Sequence, residues 1–200
     1  LPAGMTKLEE VKTEFPLNLG VYISDDYVVV RNLRSIYSAD DGFAGFWGVG
    51  VVFQNIYGGY NADQGISLHA TSVTLIDGGV FERNGGCGIV DVHSSTTIYR
   101  NCVIRHNYPA GAQVSGLAHQ FLNCRFYGNF DNQLSNCYQS NLGLVNCLID
   151  GRGTDNGIVM ENGRLDRCTV VNCKTGLLVL KSATVKNSVF SACQDQLIVV

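Results

Sequence analysis

A cysteine and asparagine register is the feature that most limits how this chain can fold. Cys102, Cys124, Cys147 and Cys168 follow one another at intervals of 22, 23 and 21 residues. Asn32, Asn55, Asn101, Asn123, Asn146 and Asn187 carry the same register along the chain, with Gly78 and Arg167 in its two gaps. Self-similarity at such a period marks a solenoid, in which one repeat cannot bury its apolar face alone and stacks on its neighbours.

A turn residue opening a short apolar run recurs in the same rhythm: Gly65-Ile66-Ser67-Leu68, Gly88-Ile89-Val90-Asp91-Val92, Gly111-Ala112-Gln113-Val114, Gly157-Ile158-Val159-Met160 and Gly176-Leu177-Leu178-Val179. The apolar residues alternate, which is the period of a strand with one face in and one face out. On this reading Ile66 and Leu68, Val90 and Val92, Ala112 and Val114, and Ile158 and Met160 point inward. Ser67, His69, Asp91, His93, Gln113, Ser115, Val159 and Glu161 then point outward.

The composition agrees with stacked strands and tight turns. The chain is 46% hydrophobic and 16% charged, with 23 glycines against three prolines. The expected architecture is an all-β solenoid of about eight coils over residues 20–200. Residues 1–19 fall outside the repeat and form an irregular or short helical cap over the first coil, where uncovered strand edges would invite pairing. A formal net charge of −3 without a basic run argues against nucleic acid. No apolar stretch reaches membrane-spanning length. Eight cysteines suggest disulfides, but equivalent residues of stacked coils have parallel Cα–Cβ vectors, and a bridge needs converging ones. The cysteines are therefore expected to form a buried ladder of free thiols, behaving as small hydrophobes. The asparagine ladder is read as structural, each residue taking a left-handed corner conformation and bonding to its counterpart one coil away.

The repeated N-C units and the G-[IL]-x-[VL] openings make the chain resemble the right-handed parallel β-helix proteins of the pectate-lyase-like superfamily. That superfamily includes polysaccharide lyases, glycoside hydrolases, epimerases, phage tailspikes and adhesins, so the resemblance implies architecture more than activity. It also implies that substrate lies along the outside of one parallel sheet. The pectin-hydrolase pattern of an Asp-Asp pair, followed one coil later by Gly-His-Gly, is broken here: Gln64 stands where the second acid would be and Cys87 where the histidine would be.

Three sets of residues carry possible chemistry. Asp40 and Asp63 are 23 residues apart and stack on neighbouring coils, beside Asp41 and Gln64. Two carboxylates so placed suit an acid and a nucleophile, or a shared Ca²⁺, and equally suit water-facing turns. His69 and His93 occupy nearly equivalent places, with Asp91 on the same face as a partner for a general base. Phe43, Phe46, Trp47, Tyr57 and Tyr60 crowd one coil, where an outward Trp47 or Tyr60 would offer a platform to a sugar ring. The expected catalytic set is Asp40, Asp63, His69, Asp91 and His93, the substrate-binding set is Trp47, Tyr60, Gln64 and Gln113, and no cofactor beyond a Ca²⁺ is implied. Two functions compete. One is a polysaccharide-binding or polysaccharide-cleaving domain with its groove near coils two to four. The other is a structural or adhesive rod, such as a homotrimer subunit. Both belong outside the cell, on its surface or on a virion.

Overall fold

A computed structural model of the chain describes residues 7–9, 12–14, 20–136, 141–152 and 156–200. Every strand pairing is parallel and joins one coil to the next. The described residues form two hydrogen-bonded sheets, of fourteen and nine strands. The larger is folded along its length into two faces. Face 1 contains Val21–Ile23, Phe43–Phe46 and Ile66–His69, and face 2 contains Val29–Arg31, Val52–Gln54 and Thr74–Asp77. In later coils one long strand, such as Ile89–Arg100 or Ala110–Leu122, runs through both faces. The nine-stranded sheet is face 3, from Lys12–Glu14 to Val189–Ser191.

The core is a set of ladders, one residue per coil. Face 1 contributes Phe43, Ile66, Ile89, Ala112 and Leu134 in register. Face 2 contributes Phe53, Ile76, Tyr99, Phe121, Leu144 and Leu165. Face 3 contributes Phe81, Ile104, Phe126, Ile149 and Val170. Like side chains stack and exclude water, so each coil supplies the apolar surface its neighbour needs.

Left-handed residues turn the corners. Asn32, Asn55, Asn101, Asn123, Asn146 and Asn187 all have φ between 50° and 56°, and so does Arg167, while Gly78 has φ 76°. The whole register, including its two substitutes, thus occupies the corner between faces 2 and 3. Asn55 donates to Asn32 at 2.9 Å and Asn146 to Asn123 at 2.8 Å. Among the described residues the cysteines are free, and Cys102, Cys124, Cys147 and Cys168 are buried. Their thiols donate to backbone carbonyls, Cys124 to Leu122 at 3.4 Å and Cys147 to Phe121 at 3.3 Å. Contact with Cys102 and Cys147, followed by burial, raises the Cys124 thiol, and burial pushes Cys173 up to about 12.

One expectation is corrected. The arm is not helical where it is described: Lys7–Glu9 pairs with Val29–Arg31, and Lys12–Glu14 with Arg34–Ile36, both in parallel. These residues add a rung to the solenoid, because an open strand edge recruits the nearest chain. The remainder of the arm and the turn residues 153–155 lie outside the described residues. No helix of the described residues is long and apolar enough to cross a membrane.

Candidate functional site

The outer side of face 1 in the first coils carries a continuous aromatic stripe. Phe46 and His69 are register partners, and their rings stack at 4.8 Å with an interplanar angle of 4°. Tyr22 stacks on the other side of Phe46 at 5.4 Å. Trp47 packs against Phe46 at 5.7 Å and is 69% exposed. Trp47 has φ 56° and sits at the corner just past the strand, which swings its indole clear of the pleat. His93 holds the equivalent corner two coils on, with φ 60°, and is exposed.

A polar group adjoins the stripe at the start of the same strands. Asp40, Asp41 and Asp63 each place a carboxylate oxygen within 4.8 Å of the others. Gln64 ties the cluster together: its backbone N–H donates to Asp41 Oδ1 at 3.0 Å and its side-chain amide donates to Asp63. Ser67 stands between Asp41 and the stripe, its hydroxyl 2.9 Å from His69 Nε2. Burial, reinforced by the neighbouring charges of Asp40 and Asp63, lifts Asp41 to about 7. Burial and Asp40 also raise Asp63. Burial lowers His69. Near neutral pH Asp41 therefore still holds its proton in part and His69 is a neutral imidazole, a pair able to donate and accept hydrogen bonds or move a proton. Three carboxylates at this spacing also form a donor set suited to a hard cation such as Ca²⁺.

Asp91 departs from the expected arrangement. It does not face solvent beside His93. It is fully buried, in register with Leu68 and Val114 on the inner side of face 1. Its Oδ2 accepts a hydrogen bond from the Tyr99 hydroxyl at 2.8 Å and lies 3.3 Å from Nδ1 of His119. His119 is fully buried inside the strand Ala110–Leu122. The alternation had placed Val90 and Val92 inward, but ladder partnership places Ile89 and Asp91 there. A slip of one residue exchanges the faces.

The other expected residues are separately placed. Gln113 is exposed on the outer side of face 1, two rungs beyond Ser67. Tyr60 has φ 59° at the corner after face 3, where its ring meets Tyr37 at 5.7 Å and lies under the Arg83 guanidinium. Glu161 pairs with Lys181. Tyr22, Asp41, Phe46 and Ser67 are the members of the site that lie outside the catalytic and substrate-binding sets expected from the sequence. Asp41 stands 23 residues before Gln64, and that spacing was the available signal.

The model of the right-handed beta helix region matches residues 3–122 of the chain. The chain belongs to this right-handed β-helix family. A comparison with curated protein sequences finds no match. Among solved structures it is similar to the A-module of the mannuronan C-5 epimerase AlgE6 of Azotobacter vinelandii, at 17% identity and a TM-score of 0.77. That match covers 86% of this chain and 55% of the epimerase module, so the chain spans about half of that relative. It is also similar to pectate lyase Pel9A, at 14% identity and a TM-score of 0.70 over 98% of this chain and 67% of the lyase. A third similar structure is tailspike protein 2 from the Escherichia coli O157:H7 bacteriophage CAB120, at 11% identity and a TM-score of 0.62, covering 94% of this chain and 33% of the tailspike. At these identities the likeness is one of fold.

Proposed function

We propose that this chain is a polysaccharide-binding β-helix whose glycan lies across face 1 of the first coils. The observation that carries the reading is the Tyr22–Phe46–His69 stack with exposed Trp47, set directly beside Asp40, Asp41, Asp63 and Ser67. A sugar ring has apolar C–H faces and a polar rim. Aromatic platforms hold the faces, and carboxyl and hydroxyl groups at the margin hold the rim. That similar structures include a pectate lyase, an alginate-type epimerase module and a tailspike supports the same class of ligand. It also supports a setting outside the cell or on a virion.

Cleavage of the bound glycan is the second reading, and one feature favours it. Asp41, lifted to about 7, remains a proton donor near neutral pH, and the Asp40 carboxyl group lies within 4.8 Å of it. Retaining glycosidases place their two carboxyl groups about 5 Å apart.

The test is a glycan-array screen followed by calorimetry and a reducing-sugar assay on each hit. Phe46→Ala and Trp47→Ala should weaken binding at least ten-fold with unchanged circular dichroism. Arg125→Ala, on exposed face 3, should leave it intact. Glycan affinity that survives both aromatic changes would remove the reading. A trimer in solution without affinity for any glycan would favour the structural rod.

A further inference from the structure

We propose a second ligand site, on face 2 along the row from Gln120 to Thr184, that takes a carboxylate-bearing sugar unit. A cleft of about 420 Å³ opens there, remote in register from the aromatic stripe. This size is within the range of small-ligand sites. Its floor is Gly143. In the outward row Gln120, Gly143, Arg164 and Thr184 are successive register partners. The missing side chain at Gly143 leaves a gap one rung wide between Gln120 and Arg164, which stand two rungs apart, roughly 9–10 Å. A parallel row brings Asn141 and Asn162 together along the edge of the same cleft. Val145 supplies an apolar flank.

The chemistry of this lining is specific. Arg164 is exposed, lines the cleft and forms no ion pair with any described residue. The nearest acid along its strand, Asp166, is engaged by Arg167 and by the Asn187 amide. An unpaired guanidinium presents a fork of donors that matches a carboxylate. The amides of Gln120, Asn141 and Asn162 offer donors and acceptors for hydroxyls, and no carboxylate of the described residues lines the cleft. A neutral sugar would satisfy the amides and leave Arg164 unused, whereas a uronate uses both.

Gly143 also supplies the test. A Cβ there would meet only Gln120 Cγ at 3.7 Å and the His119 carbonyl at 3.9 Å, and the position has no left-handed φ. Gly143→Leu should fill the cleft while the solenoid stays folded. The probe is a trigalacturonate, compared by calorimetry with its fully methyl-esterified form at 50 and 300 mM NaCl. The expected result is tighter binding of the acid form, weakened by salt, lost in Gly143→Leu and reduced at least ten-fold in Arg164→Gln. Trp47→Ala should leave this binding unchanged, which separates the site from face 1. Equal affinity for both forms, or acid binding that persists in Gly143→Leu and Arg164→Gln, would overturn the proposal. Acid binding lost in Trp47→Ala alone would place the uronate on face 1 and also overturn it.

Discussion

Single residues decide what face 1 can do, and Asp41 is foremost. It is buried among other acids, and its folded-state pKa of about 7 lies above the ordinary value of 3.8. Between those values the unfolded chain has lost the proton and the folded chain keeps it. The folded state then binds more protons, and stability falls as pH rises from about 4 to about 7. Asp41→Asn should remove this slope, leaving the variant more stable than wild type by roughly 2–4 kcal/mol above pH 7. Denaturant melts at pH 4.5 and pH 8 measure the difference, and identical slopes in both proteins would contradict it. The interior offers a second case. Asp91 and His119 are both fully buried, and Asp91 Oδ1 and His119 Nε2 have no hydrogen-bond partner among the described residues. A buried polar group costs most when its partner is removed, and an apolar substitute for the whole set is often better tolerated. Asp91→Ala alone should therefore cost about 3 kcal/mol. The combined Asp91→Leu, Tyr99→Phe, His119→Leu variant should be no less stable than wild type. Thermal melts of the two variants decide the point.

At the level of elements, two asparagine ladders hold the corners, and only one was legible in the sequence. The exposed ladder announced itself through the cysteine beside it. The second comprises Asn61, Asn84, Asn107 and Asn129, all buried, and ends on Gln133. Its spacing is the same 22 or 23 residues, but its flanking residues vary: Tyr60, Arg83, His106 and Gly128. The Asn84 and Asn107 amides each donate to the next asparagine and to a backbone carbonyl, Asn84 to Asn107 at 2.8 Å and to Gly58 at 3.2 Å, Asn107 to Asn129 at 3.0 Å and to Phe81 at 3.1 Å. Asn84 Oδ1 also accepts from both the backbone and the side chain of Asn61. Asn84→Ala strands two buried donors and should cost roughly 2–4 kcal/mol. Asn123→Gly, on the exposed ladder, keeps the left-handed corner and should cost under about 1 kcal/mol. Equal losses in a denaturation experiment would mean that both ladders act only through backbone geometry.

For the molecule as a whole, periodicity was the legible property and phase was the hidden one. A period of 21 to 23 residues is written in the spacing of Cys102, Cys124, Cys147 and Cys168, and it is sufficient to give the parallel solenoid. Which side of a strand faces in is set by the ladder above and below, so it cannot be read from one strand alone. The strand beginning at Ile89 shows this: Val90 and Val92 alternate as a core pair would, yet Ile89 and Asp91 hold the inward register. The site was partly legible for the same reason. Asp40, Asp63, His69 and Trp47 gather on face 1 by spacing alone, whereas the role of Asp41 depends on burial and that of Tyr22 on stacking across coils.

A polysaccharide placed as proposed on the aromatic stripe of face 1 would cover the Trp47 indole. Trp47 is the chain's single tryptophan and is 69% exposed, so its emission reports on that surface alone. Titration with a glycan that binds by calorimetry should shift Trp47 emission to shorter wavelength and protect it from acrylamide quenching, with the same midpoint as the binding heat. Saturable binding that leaves both the emission and the quenching of Trp47 unchanged would contradict that placement.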